Sequence, residues 1–205
     1  MRVAILTFDG FSEIDSFVAL GLVNRLKTDG WSAEITAPAA QVTSMNGVTV
    51  EAQRPLEFAN DADAVLFGSG MYHRAIADPS TERGAWLDRL HLDPLRQVIG
   101  AQCSGTLLLA RLGLLGEMPA CADTTVRPWL MQAGVRVIDE PFHARGPVAT
   151  AGGCMASVYL AAWLMWSGAG RDATAAALRH AAPVGEKDAW VERVLSVVEP
   201  FLERT

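Results

Sequence analysis

Cysteine is scarce in this chain of 205 residues: Cys103, Cys121 and Cys154 are an odd number at wide spacing. That spacing excludes a disulfide framework and paired CxxC metal hooks, and reduced thiols are expected. Basic charge is also short. Seventeen Lys and Arg residues against 23 acids give a formal charge of -6, and the cations are scattered rather than clustered. No basic stripe is available to neutralise phosphates, so nucleic acid is excluded as an expected partner. Long apolar runs are missing too. Met1 is followed at once by Arg2 and the strand-like run Val3 to Thr7. This contains neither the apolar core of a signal peptide nor a membrane span, so cytoplasmic residence without membrane contact is expected. No repeat, low-complexity tract or linker divides the chain. Half of its residues are apolar, enough for one substantial core, and a single domain over residues 1–205 is expected.

What is present is an alternation of short β-rich runs with longer helical patterns. It predicts an α/β fold: a doubly wound, mostly parallel sheet flanked by helices. Strands are expected at about 2–7, 33–37, 63–67, 98–102 and 147–151. Helices are expected at 13–28, 81–91, 104–113, 124–133, 154–167, 171–180 and 187–203. The first helix shows the pattern, with Ile14, Phe17, Val18, Gly21 and Leu22 at three- and four-residue spacing and Arg25 and Lys27 crowding the final turn. Between residues 42 and 60, Asn46-Gly47 separates short β-branched runs and predicts a hairpin or an irregular excursion at the sheet edge.

An open parallel sheet gathers its functional groups outside the carboxyl ends of its strands. Three such turns carry chemistry: Phe8 to Asp15 with two acids entering a helix, Gly68-Ser69-Gly70-Met71, and Cys103-Ser104-Gly105-Thr106. Cys103 stands where a strand runs into a helix with no loop between, the mechanics of a nucleophile elbow. Amides at a helix N-terminus favour the thiolate, which is the reactive form. The competing reading is a buried cysteine acting as a small hydrophobe. Cys154 follows Gly152-Gly153 and also opens a helix, so it is a secondary reactive candidate; Cys121 lies in an apolar stretch near Pro119. Gly68-Ser69-Gly70 lets backbone amides approach a developing anion, or is simply a tight turn. Glu13 and Asp15 complement the helix dipole, and only one that points inward can carry protons.

Together the three turns resemble those of the ThiJ/PfpI superfamily, whose core is similar to the class I glutamine amidotransferase domain. The resemblance spans nearly the whole chain and implies a flavodoxin-like sheet. Asp9 to Asp15 resembles the first-turn motif, with Asp15 at the family's acid position. Gly68-Ser69-Gly70 resembles its Gly-Gly loop with serine in the second place. Ala101 to Ala110 resembles the elbow and its helix, and Thr150-Ala151-Gly152-Gly153 a late glycine turn. Cys-Ser-Gly-Thr together with an aspartate at position 15 is most similar to the isocyanide hydratase branch. That branch implies a Cys103 thioimidate hydrolysed to an N-formyl amide, with Asp15 as proton shuttle, Ser104 as a hydrogen-bond donor and the amides of Ser69 and Gly70 as the anion cradle.

Many relatives carry a histidine where this chain has Thr125, so the resemblance does not extend to a Cys-His dyad; His73, beyond the glycine loop, is a substitute from another direction. His91, His143 and His180 lack metal-ligand spacing, and neither metal nor cofactor is expected. Phe11, Met71 and Trp129 are expected near the pocket, and the other tryptophans in core or subunit contacts. The resemblance implies a homodimer acting on a small molecule. Two readings compete with hydration of an isocyanide: glyoxalase-like or deglycase-like chemistry on reactive carbonyls, and a non-catalytic redox sensor in which Cys103 becomes a sulfinate beside Asp15. A regulator's ligand-binding domain ranks below these, because Thr205 follows the last expected helix with no room for a helix-turn-helix module.

Overall fold

The computed structural model describes residues 1–28 and 30–202. The chain runs β1 (Arg2–Leu6), α1 (Glu13–Val23), β2 (Ser32–Ala37), β3 (Gln41–Thr43), β4 (Thr49–Glu51), β5 (Arg54–Pro55), α2 (Phe58–Asp61), β6 (Ala64–Phe67) and α3 (His73–Ala77). It continues through β7 (Val98–Gln102), α4 (Thr106–Arg111), α5 (Arg127–Gln132), β8 (Phe142–Arg145), β9 (Val148–Ala151), α6 (Ser157–Ala169), α7 (Arg171–Ala181) and α8 (Lys187–Val198). The main sheet has seven strands in the order β5-β2-β1-β6-β7-β9-β8, parallel except for β8 against β9. The chain winds outward from β1 through β2 to β5, returns to β6, and winds the other way. That reversal between β1 and β6 is the switch point at which such sheets open a crevice.

β6 and β9 are buried along their whole lengths and β1 over four of its five residues, because helices cover both faces. On one face α1, α6, α7 and α8 pack a core that includes Leu22, Leu160, Trp163 and Leu195. On the other, Phe8, Phe67, Leu108 and Leu109 form a second cluster. Among the described residues no helix is long and apolar enough to cross a membrane.

The five expected strands are all present, but several helices are shorter than their periodicity suggests. The helix expected over 13–28 stops at Val23, where the side-chain amide of the C-cap Asn24 exchanges two hydrogen bonds with the backbone of Ala33 on β2. The helix expected over 81–91 is a 3-10 segment, Glu82–Arg89, whose Gly84 lies against the carbonyl of Ile76. α8 ends at Val198, and Pro200 sits in a 3-10 turn, Glu199–Phe201; residue 203 of that expected helix lies outside the described residues. Arg127, not residue 124, opens α5, since Asp123 folds Thr125 into a side-chain-capped turn.

The excursion over 42–60 is a hairpin, β3 against β4, with Gly47 at φ 85° in its turn. It is tied to the β1 turn. Gly10 donates to the Thr43 carbonyl at 2.7 Å, Met45 donates to Phe11 at 2.9 Å, and the Asp9 carboxylate accepts from the Thr43 amide at 2.9 Å.

Candidate functional site

β1, β6, β7 and β9 lie side by side, so the turns at their carboxyl ends meet over the switch point. Glycine sets how closely. A Cβ on Gly105 would lie 2.4 Å from the Gly68 carbonyl oxygen, and one on Gly70 would lie 2.5 Å from that of Gly10. The elbow, the glycine loop and the first turn are therefore in backbone contact. Ser12 donates to the Ser69 carbonyl and Met71 to the Gly10 carbonyl, each at 2.9 Å. Ser104 Oγ faces both backbone groups of Gly70, accepting from its amide at 3.3 Å and donating to its carbonyl at 3.4 Å. These bonds are long. In this arrangement Ser104 and the Gly70 amide brace the elbow against the loop.

Cys103 has φ 55°, and among the described residues it is the one non-glycine with positive φ. A side chain in that region costs about 1–3 kcal/mol and persists only where the surroundings fix it. Here β7 ends at Gln102 and a 3-10 turn, Cys103–Gly105, begins at once and leads into α4. Cys103 as a whole is 6% exposed.

The two acids of the first turn have separate roles. Glu13 faces the hairpin, where Ser44 Oγ and Asn46 Nδ2 donate to its carboxylate, and the Ser44 bond holds its pKa below the ordinary value. Asp15, two residues further on and on a different face of the helix, is fully buried and points inward. Ser69 Oγ donates to Asp15 Oδ2 at 2.7 Å, while Asp15 Oδ1 has no hydrogen-bond partner. Asp15, Cys103 and Cys154 each bring one ligand-type atom into a cluster whose members all lie within 4.8 Å of one another. The two sulfurs are 3.6 Å apart.

This environment changes the expected state of the nucleophile. The hydrogen bond shared with Cys154, then burial, then the charge of Asp15 push the Cys103 thiol far above its ordinary pKa. Cys154, half-buried and bonded to Cys103, is lowered and is the more acidic thiol of the pair. The helix N-terminus is expected to favour a Cys103 thiolate, but the bond to Cys154 and the burial of the sulfur work against it. Cys121 is a third kind of thiol: it lies outside the cluster, and burial raises it to about 12.

The remaining expected residues sit around this centre. His73 Nδ1 pairs with the Gly70 carbonyl, its Nε2 is buried without a partner, and its ring lies 5.7 Å from Trp129. Thr125 Oγ1 donates to Asp123 Oδ1 at 2.6 Å, which commits that position to a local turn. Phe11 is buried beneath the hairpin with Ala37 and Val42, and Met71 is exposed. Trp129 lines a groove of about 440 Å³ with Arg74, Ala77 and Leu107; Cys103 is not among its lining residues.

Two contributors were not anticipated in these roles. Gln102 Nε2 donates to the Asp15 carbonyl, locking β7 to α1, and its Oε1 is buried without a partner. A glutamine ending the strand Val-Ile-Gly-Ala was the available signal. Cys154 was expected only as a secondary thiol, and its closeness to Cys103 comes from the parallel pairing of β7 with β9, which sets Gln102 opposite Ala151.

Comparison with known proteins agrees with this fold. The family described as DJ-1/PfpI matches residues 1–166. No curated protein sequence matches. Among solved structures, Schizosaccharomyces pombe DJ-1 superposes with a TM-score of 0.73 at 19% identity, covering 89% of this chain and 100% of that one. A ThiJ/PfpI family protein from Pseudomonas syringae gives 0.75 at 19% identity, covering 97% of this chain and 87% of that one. An AraC family transcriptional regulator from Pseudomonas putida gives 0.74 at 18% identity over 88% of this chain and 99% of that one. At these identities the likeness shows a shared fold.

Proposed function

Because the chain belongs to the DJ-1/PfpI family, we propose that it is a cysteine-dependent enzyme that hydrates a small electrophile, with an isocyanide as the leading substrate class. The observation that carries the reading is Cys103 at φ 55°, clustered with a buried Asp15 whose Oδ1 is unpartnered. A left-handed backbone at a residue other than glycine is a cost that clusters at functional sites, and a buried carboxylate with a free oxygen is placed to move a proton.

The chemistry starts from the Cys103 thiol and Asp15 lying side by side. As the sulfur attacks the terminal isocyanide carbon, Asp15 takes the thiol proton and delivers it to that carbon, giving a thioimidate. Water then adds to the thioimidate carbon, its proton passing by way of Asp15 to the imine nitrogen. The carbon–sulfur bond breaks as the hydroxyl proton returns to sulfur. The sum is isocyanide plus water to an N-substituted formamide, with no net change at the enzyme. Ser69 keeps Asp15 oriented through its 2.7 Å bond. The small exposure of Cys103 favours slender substrates.

The same thiol and acid serve a reactive carbonyl, which makes glyoxalase-like or deglycase-like chemistry the second reading. A homodimer belongs to the proposal as well: Phe17 and Met155, both exposed, share a groove of about 380 Å³ with Trp190. The test is a panel of alkyl and aryl isocyanides, methylglyoxal and simple amides, assayed with wild type and Cys103→Ala. Formamide production that depends on Cys103 supports hydration, lactate production supports the carbonyl reading, and activity towards none removes both.

A further inference from the structure

Asp15, Cys103 and Cys154 come from three different turns and stand 88 and 51 residues apart in sequence, yet their ligand atoms converge within 4.8 Å. Hydration chemistry uses two of these residues and leaves Cys154 unexplained. In the resting protein Asp15 Oδ1 has no partner, on a residue with no exposed surface. Two thiols and a carboxylate in one buried cluster are poorly matched to one another. In their ionised forms they repel, and Asp15 Oδ1 is buried with no donor facing it.

We propose that these three residues form a binding site for a thiophilic divalent cation of the zinc class. Two sulfurs bound at about 2.3 Å in a tetrahedral arrangement stand about 3.8 Å apart; the observed separation is 3.6 Å. A linear two-sulfur site would need about 4.6 Å at the same bond length, so three- or four-coordinate geometry fits better. Asp15 supplies the oxygen ligand through Oδ1, while Ser69 already holds Oδ2 and fixes the carboxylate plane. Magnesium and calcium are disfavoured, since both take sets made of oxygen and neither gains from sulfur. Binding releases the two thiol protons to solvent and places a positive ion among three anionic ligands. Three protein ligands leave a fourth position for water. Because the ion occupies Cys103, metal-loaded protein does not use that sulfur as a nucleophile.

This site stands or falls independently of the substrate proposed above, and it is read without any turnover assay. Chelator-stripped, reduced protein is titrated with zinc against a chromophoric chelator, and with cobalt(II) while the visible and near-ultraviolet spectrum is followed. The expected result is one zinc per chain and a cobalt spectrum with thiolate charge-transfer intensity from two sulfurs. Cys154→Ser weakens zinc by more than about 100-fold and halves the charge-transfer intensity. Ser69→Ala weakens zinc about tenfold, within the cost of losing an outer hydrogen-bond partner. Cys121→Ser, whose sulfur lies outside the cluster, binds as wild type, and thermal melts establish that each variant is folded. Wild type that binds no zinc at micromolar concentration, a cobalt spectrum lacking thiolate bands, or a folded Cys154→Ser protein that binds zinc like wild type overturns the proposal.

Discussion

Two neighbouring strands of the sheet, β7 and β9, end in the same way and load their turns differently. Each runs into a 3-10 turn that carries a cysteine, Cys103–Gly105 after β7 and Cys154–Ala156 after β9, and each turn opens a helix. After β9 the positive dihedral falls on Gly153, at φ 98°, and Cys154 is free of it. After β7 there is no glycine spacer, so Cys103 itself takes φ 55°. Glycine bears such a conformation at little cost and leaves its neighbour half-buried and adaptable. A cysteine that bears it is fixed in direction, and that direction is towards Asp15. The difference separates a residue positioned for chemistry from one that completes the cluster.

The comparison breaks most visibly at Cys103. Cys103→Ala is expected to reduce turnover of the true substrate by more than about 1,000-fold, whereas uniform loss of the nucleophile with little change in rate would remove the distinction between the two turns. Asp15→Asn comes next and moves two readouts in opposite directions. Turnover falls by about 100-fold as the proton carrier is lost, while alkylation of Cys103 by iodoacetamide at pH 8 becomes faster, because one of the charges holding the thiol protonated is gone. A merely structural Asp15 would slow both.

Gly153→Ala sharpens the comparison from the other side. Nothing lies within 4 Å of the added methyl, so the cost is the backbone's alone, about 1–3 kcal/mol in chemical denaturation. Cys121 provides a control for ordinary burial. Its folded pKa is raised from the ordinary thiol value of 9.0 to about 12, chiefly by burial. The stabilisation is therefore complete below about pH 9 and is lost as pH rises towards 12, at about 1.4 kcal/mol per unit. Cys121→Ala should lose stability less steeply than wild type between pH 9 and 11 in denaturant melts.

The sequence made the frame of this arrangement legible because its principal parallel strands are short β-rich runs, and β1, β6, β7 and β9 end in turns rich in glycine or small polar residues. β8 was missed, since Phe142–Arg145 is short, antiparallel and partly exposed, and α3 was missed because five residues carry little periodicity. Asp15, Cys103, Ser69 and Ser104 were all found in the turns where strand-end logic placed them. Side-chain direction was not legible: Glu13 and Asp15 differ by two positions, and only the hairpin bonds to Ser44 and Asn46 show which acid faces outward. The state of the thiol was not legible either. Helix-end reasoning favoured a thiolate, but the opposing contributions come from residues 88 and 51 positions away in the chain.

The most direct measurement is to quench the protein during turnover of an isocyanide, reduce any thioimidate with borohydride, and map the peptides by mass spectrometry. The account predicts a substrate-sized adduct on the peptide carrying Cys103 and none on those carrying Cys154 or Cys121. An adduct on Cys154, or sustained turnover with Cys103 unmodified and replaceable by alanine, would contradict it.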